Sequence, residues 1–317
     1  MKKLLILLAF AACSLLGFAQ EYNKYLPSEY ISQKKYDQGL KYLQEWAPRG
    51  IADAQYYLGI FYYNGYGVAK NYAEALSWFK KAADQGETSA MIHLGHCYYD
   101  GLGVTKNQNT ALQWYKKAGG LIKGFSLDSF DSSFLDNVTR DGQYDVGLAY
   151  IRVWLSKGKA DAQHFMGVYD YYGYGVEQNN AEALSWFRKA ASQGHVVATR
   201  FVGHCYYNGR GVAVNYTTAL QWYSKAAAKN DASAYNGIAY CYVKQNNLPK
   251  AIEAVDKAIA IAPNNPNYYD SKGEILMLQG KKQEALQMYK KIQSLSATFF
   301  LRPTDFSKML KKEGLIN

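Results

Sequence analysis

Two stretches of this chain carry the spacing of an acylating serine. Ser32-Gln33-Lys34-Lys35 and Ser156-Lys157-Gly158-Lys159 both fit Ser-x-x-Lys, which on a helix sets an amine one turn from a hydroxyl and can activate it as a nucleophile. A β-lactam-binding or hydrolysing site would need Lys-Thr-Gly and Ser-Asp-Asn elements as well, and the chain has neither. His93 and His96 stand at i and i+3, so one helix face could supply half a metal site, but no second pair accompanies them. Gly65-Tyr66-Gly67 and its kin could cradle a phosphate if they followed a strand, yet neither the P-loop lysine-serine nor a Rossmann acidic residue goes with them. HExxH, GxSxG and CxxC are absent. The expectation is a non-enzyme with no catalytic residue, no cofactor and no metal.

The elements that must position these residues come from repetition. Tyr63-Asn64-Gly65-Tyr66-Gly67-Val68 recurs as Tyr99-Asp100-Gly101-Leu102-Gly103-Val104, Tyr171-Tyr172-Gly173-Tyr174-Gly175-Val176 and Tyr207-Asn208-Gly209-Arg210-Gly211-Val212, with Trp78, Trp114, Trp186 and Trp222 eleven residues after each second glycine. Each copy belongs to a 36-residue unit, a period that predicts helix pairs burying their apolar faces against one another. Within residues 52–87, Ala54, Leu58, Ile60, Phe61 and Tyr62 mark a first helix with Gly59 at a close crossing. Gly65 and Gly67 end it. Asn71 and Glu74, like Asn179 and Glu182, read as capping boxes. Ala75, Leu76, Phe79, Ala82 and Ala83 then form one face of a second helix. Cys97, Cys205 and Cys241 hold matching positions in their units. Such positions lie about 10 Å apart, beyond the roughly 7 Å that a disulfide spans, so they are expected as small buried side chains.

These motifs resemble the Sel1-like repeat of the tetratricopeptide superfamily. The Leu-Gly of the first helix, the Tyr-Tyr-x-Gly-x-Gly-Val loop and the Ala-Leu-x-Trp-[Phe/Tyr]-x-Lys-Ala-Ala helix carry the likeness over 52–87, 88–123, 160–195 and 196–231. Residues 232–265 and 266–299 resemble ordinary tetratricopeptide units, with Tyr235, Ala239, Tyr242, Ala251, Ala258 and Pro263 in the first and Tyr269, Gly273, Leu276, Gly280, Ala285 and Tyr289 in the second. Residues 52–123 also match 160–231 at an offset of 108, identical at 41 of 72 positions, whereas 52–87 and 88–123 agree at 16 of 36. The history implied is duplication of a three-unit block whose third unit, 20–51 or 124–159, is degenerate. In 124–142, Leu127, Phe130, Phe134 and Val138 read as a substituted first helix, and the interleaved aspartates lack EF-hand order. Thr304–Lys312 reads as a capping helix within 300–317. The resemblance implies an all-α, right-handed α-solenoid of seven to eight antiparallel helix pairs, elongated in solution.

It also implies a concave groove lined by first helices. Carried over residue by residue, the groove positions are Tyr56, Ile60, Tyr63, His96, Tyr99, His164, Val168, Tyr171, Arg200, His204, Tyr207, Asn236 and Tyr240. Aromatic and arginine side chains serve as anchors because they bury much area and keep a polar tip. The other reading of Tyr63, Tyr99, Tyr171 and Tyr207 is packing at the loop base.

The N-terminus reads as a secretory signal over residues 1–19, with Lys2-Lys3, an apolar run from Leu4 to Leu16 and cleavage after Ala19. The competing reading is a lipoprotein anchored at Cys13. The mature chain has no apolar run long enough to span a membrane. Net charge is +10, or +8 without Lys2 and Lys3, and 12 basic against 7 acidic residues from Ala232 to Asn317 place +5 of it at the C-terminal end. That excess could attach the protein to anionic glycan or lipid, or could be the solvated outer face of helices carrying Lys281, Lys282, Lys290 and Lys291. Export argues against nucleic acid. The function expected is a periplasmic or secreted scaffold that binds a protein segment in its groove; the alternative is a cell-wall or β-lactam-directed protein.

Overall fold

The computed structural model describes residues 21–296 and 304–316. The segment expected to be a secretory signal, with Cys13, lies outside them. Among the described residues there are seventeen α-helices, one 3-10 turn and no strand. The chain is an all-α solenoid in which neighbouring helices stack as antiparallel pairs. It divides into two compact units at Ser129 and Phe130.

The first unit holds α1 (Leu26–Ser32), α2 (Tyr36–Trp46), the 3-10 turn (Ala47–Arg49), α3 (Ala52–Asn64), α4 (Tyr72–Asp84), α5 (Thr88–Asp100) and α6 (Gln108–Gly119). The second holds α7 (Ser132–Arg140), α8 (Tyr144–Leu155), α9 (Ala160–Tyr172), α10 (Asn180–Ser192), α11 (Val196–Asn208), α12 (Tyr216–Ala227), α13 (Ala232–Lys244), α14 (Leu248–Ile261), α15 (Pro266–Leu278), α16 (Lys282–Leu295) and α17 (Asp305–Lys312). The stretch before α7 is non-helical, so the first helix expected across Leu127 to Val138 is shorter than its periodicity suggests. Asp131 ends that turn, its Oδ1 accepting the Ser133 N–H at 2.9 Å.

Each sequence signal has a packing cause. The glycine inside a first helix faces an aromatic ring of the second helix of the same repeat. A Cβ on Gly59 would stand 2.5 Å from Phe79, on Gly95 2.2 Å from Tyr115, on Gly167 2.6 Å from Phe187 and on Gly203 2.8 Å from Tyr223. Around these rings Ala75, Ala82, Ala111, Ala183, Ala190 and Ala219 are completely buried, so small and large side chains interlock at close range.

The two loop glycines do different work. The first closes the helix in the left-handed region, as at Gly65 with φ of 77°. The second is needed for its neighbour as well. A Cβ on Gly103 would lie 2.4 Å from the Tyr72 carbonyl carbon, and on Gly211 2.2 Å from the Asn180 oxygen. The loop thus rests on the first turn of the preceding second helix, and only a bare Cα fits there.

Half of each expected capping box is present. Asn71 accepts the Ala73 and Glu74 N–H groups, both at 3.1 Å, and Asn179 does the same for Ala181 and Glu182. The reciprocal arm is not the glutamate. The Asn71 N–H goes to the Tyr62 carbonyl at 2.9 Å and the Asn179 N–H to Asp170 at 2.8 Å, which pins each loop to the end of the helix it follows.

The offset of 108 reappears as repeated bonds. The Tyr42 hydroxyl accepts the Asn23 N–H at 2.7 Å and the Tyr150 hydroxyl accepts the Asp131 N–H at 2.7 Å. Tyr36 stacks on Tyr66 at 4.6 Å, and Tyr144 on Tyr174 at 5.0 Å. Gln85 donates to Gln55, and Gln193 to Gln163, each at 2.8 Å.

Candidate functional site

The first helices α11 and α13 bring five of the expected groove residues around one cavity of about 250 Å³. Arg200, His204 and Tyr207 come from α11; Asn236 and Tyr240 come from α13. Spacings of four and three or four residues put each set along one helix face. The floor is Tyr223, which arrives from α12 between them and was not among the expected positions. Its signal in the sequence was available: it follows Trp222, and its ring packs against both Gly203 and Gly237.

The polar groups of the cavity are partly committed. Arg200 Nε donates to Asp231 Oδ2 at 3.2 Å, and the same aspartate caps α13 by accepting the Ala234 N–H at 2.8 Å. His204 Nδ1 lies 3.3 Å from the Tyr171 hydroxyl. Burial first, then the Arg200 and Arg210 charges, lower the His204 pKa. The Tyr240 hydroxyl donates toward Glu274 Oε2 at 2.9 Å and Ser271 Oγ at 3.2 Å. Burial raises the Tyr207 phenol to about 12. Asn236 Oδ1 is buried and has no hydrogen-bond partner.

The other expected groove residues are deeper. Ile60, His96, His164 and Tyr171 are all buried, none more than 9% exposed. His96 Nδ1 pairs with the Tyr115 hydroxyl at 2.7 Å. His164 stacks on His195 at 4.7 Å and packs against Phe187 and Phe201. These side chains fill the space between helices and present no open anchor. Tyr63 meets Tyr72 at 5.2 Å and Tyr207 meets Tyr216 at 5.3 Å, each at the foot of its loop. Tyr56, Tyr63, Tyr99 and Val168 are half-buried.

None of the residues that suggested chemistry lines this cavity. Ser32 ends α1 and donates to the Glu29 carbonyl at 2.9 Å; Ser156 follows α8 and donates to Val153 at 2.6 Å. Lys35 and Lys159 are N-cap residues of the next helices, so neither amine sits one helical turn beyond its serine. His93 Nδ1 bonds the Ser89 carbonyl at 2.9 Å. Among the described residues no group of three or more His, Cys, Asp or Glu could hold a metal. Cys97, Cys205 and Cys241 are buried and reduced, and burial pushes each thiol up to about 12. No described helix is long and apolar enough to cross a membrane.

Comparison with known proteins places this architecture. The Sel1 repeat model matches residues 52–87, 88–120, 160–195 and 196–231, and the tetratricopeptide repeat model matches 232–265. No curated protein matches the chain. Among solved structures, a Sel1 repeat protein from Oxalobacter formigenes aligns at 24% identity over 86% of this chain and 100% of its own, with a TM-score of 0.39. A protective antigen of uropathogenic Escherichia coli strains, c5321, which displays an SLR fold, aligns at 25% identity over 85% of this chain and 68% of its own, TM-score 0.33. MamA from Desulfovibrio magneticus RS-1 aligns at 23% identity over 53% of this chain and 94% of its own, TM-score 0.41. The chain carries four Sel1 repeats that lead into a tetratricopeptide repeat.

Proposed function

We propose that the protein is a non-catalytic scaffold of the bacterial cell envelope that binds a segment of a partner protein along its first helices. Solenoids of this class generally serve protein–protein interaction. The observation that carries the reading here is the cavity between α11 and α13, where Arg200, His204, Tyr207, Asn236 and Tyr240 converge from two successive repeats. Tyrosine and arginine around a partly desolvated hollow are what interface hot spots are made of. Crosslinking and pull-down from the native envelope tests it. Crosslinks should fall on α11 and α13, and Arg200→Ala or Tyr240→Ala should each cost about 2 kcal/mol of partner binding. Crosslinks confined to α16 around Lys290, with both variants binding normally, would refute the groove.

Export is part of the same proposal, supported by the charged, apolar and small-residue order of residues 1–19. Mass spectrometry of the envelope form should find an N-terminus at Gln20; a lipid-modified Cys13 would replace cleavage by anchoring, and an intact Met1 would rule out both. The non-catalytic part is tested by a labelled β-lactam. No stoichiometric adduct should form, and an adduct abolished by Ser32→Ala or Ser156→Ala would overturn it.

A further inference from the structure

Away from the groove, the second helices α4 and α6 flank a hollow of about 420 Å³ that opens over the first helix between them, α5. Its floor is the buried Leu94, and its walls include the half-buried rings of Tyr98 and Trp114. Lys80 and Lys117 stand exposed at its rim, beside Thr110 and Gln113, and no carboxylate is among the described residues that line it. The Lys117 ammonium lies 5.0 Å from the centre of the Trp114 ring, a cation–π contact that leaves its hydrogen-bonding capacity open. The side chains of Lys80, Thr110, Gln113 and Lys117 and the Tyr98 hydroxyl make no hydrogen bond or ion pair among the described residues.

The repeat 108 residues later shows the same positions in a closed state. Tyr206, Thr218, Gln221, Trp222 and Lys225 keep the residue types of Tyr98, Thr110, Gln113, Trp114 and Lys117, while Arg188 stands for Lys80. Arg188 donates to the Tyr206 hydroxyl, and its guanidinium lies 5.6 Å from that ring. Its charge is thereby turned to a partner inside the chain, whereas Lys80 and Tyr98 keep both polar ends open. A further hollow of about 360 Å³, between α12 and α14, has Ala254 among its walls in place of an indole and adds Glu253 to its two lysines, Lys250 and Lys257. Of these three places, the one over α5 joins two open cations to an indole and sets no acid against them.

We infer that the hollow over α5 is a binding site for an acidic sugar residue of the uronic acid type, carried by an anionic glycan. Two lysines with no opposing acid select an anion by charge. A buried leucine beside two aromatic rings takes a body with apolar C–H faces, because the ring faces are negative and the C–H groups weakly positive. A pyranose ring supplies such faces, and the acidic side chain of a peptide supplies little of them. Thr110 and Gln113 both donate and accept, which suits ring hydroxyls. The volume falls in the range of small-molecule pockets, about 300–1,000 Å³. The site shares no residue with the cavity on α11 and α13, so the groove reading neither needs it nor falls with it.

The experiment is a titration of the purified full chain, with its six tryptophans replaced by 5-fluorotryptophan, followed by fluorine NMR. The probes are β-1,4-triglucuronate, its neutral isostere cellotriose, an end-blocked triglutamate of equal charge, and phosphatidylglycerol vesicles. The Trp114 resonance, assigned by its loss in Trp114→Leu, should move saturably with triglucuronate, while Trp222 stays in place. Cellotriose and triglutamate should each bind at least about tenfold more weakly, since each lacks one half of the recognition. By calorimetry, Lys80→Met and Lys117→Met should each weaken triglucuronate binding by about threefold or more, the scale of an exposed ion pair. Trp114→Leu should weaken it by about fivefold or more. Unmoved Trp46 and Trp78 resonances in the lysine variants report that the fold is intact. No saturable Trp114 shift, an equal response to cellotriose or triglutamate, equal movement of Trp222, or unchanged binding by both lysine variants would overturn the site. A stronger response to the vesicles than to triglucuronate would assign the hollow to a lipid surface and overturn the sugar.

Discussion

Gly203 occupies a helix interior, where glycine costs about 1 kcal/mol against alanine, so only packing explains it. Added to it, a Cβ would meet the Tyr223 ring at 2.8 Å. Overpacking a tight contact costs about 1–3 kcal/mol, which exceeds the helix gain, so Gly203→Ala should lower stability. Gly95→Ala should lower it further, since its Cβ would meet Tyr115 at 2.2 Å; denaturant midpoints decide both. Two buried ionisable groups set a pH signature. Burial, with a smaller push from Glu182 and an opposing pull from Arg152, raises Asp170 to about 7. The folded state then keeps a proton that the unfolded chain releases near pH 4. Stability from this group is complete below about pH 4 and is lost as pH rises through 7. His164 runs the other way. Burial, then the His195 and Arg200 charges, lowers it to about 3, so its contribution is present above about pH 6.5 and is lost as pH falls toward 3. The slopes oppose each other between about pH 4 and 6.5. Melting temperatures from pH 4 to 8 should show Asp170→Asn gaining on the parent as pH rises; parallel curves would contradict the assignment.

At the scale of the element, the cap and the loop form one device. Asn71 and Asn179 each satisfy two N–H groups of a second helix and tie their own N–H to the helix before. Asn71→Ala should cost about 1 kcal/mol. Glu74→Ala should stay within about 0.5 kcal/mol, since Tyr62 takes the bond a capping-box glutamate would make. Thermal unfolding of the pair separates the two roles. This element was largely legible beforehand, because loop glycines, cap residues and alternating faces obey local rules. What the second glycine does was not legible, since its reason is the backbone of Tyr72 or Asn180 in another helix. The groove shows the same limit. The period sets Arg200, His204, Tyr207, Asn236 and Tyr240 along one face of their helices, and they line one cavity, but depth along such a face depends on the neighbour. His96 was drawn inward by the Tyr115 hydroxyl, and His164 by Phe187, Phe201 and His195. Tyr223 escapes a reading in which first helices line the groove, because it reaches the cavity from the second helix α12.

For the molecule as a whole, the competing sources of affinity are the polar cavity and the basic surface. The basic excess of the C-terminal repeats is partly answered on the spot. Lys281 pairs with Glu284 at 3.9 Å, Lys308 with Asp305 at 2.9 Å, and Lys282 with Glu313. Lys290 and Lys291 stay exposed on α16. Exposed charges of this kind attract anionic surfaces weakly, and salt screens them beyond about 10 Å at 0.1 M. Arg200 is different, being half-buried and held by Asp231, with 27% of its side chain exposed. An ion pair formed in the cavity would be screened much less. Binding of the native partner should therefore survive a rise from about 50 to 200 mM salt with only a few-fold loss. Lys290→Ala with Lys291→Ala should change it little, and Tyr240→Ala should reduce it by about thirtyfold, the equivalent of a 2 kcal/mol hot spot. Calorimetry or surface-based binding at the two salt concentrations distinguishes the cases. Loss of binding across that salt range, matched by the lysine pair and untouched by Tyr240→Ala, would move the functional surface from the first helices to the outer face of α16.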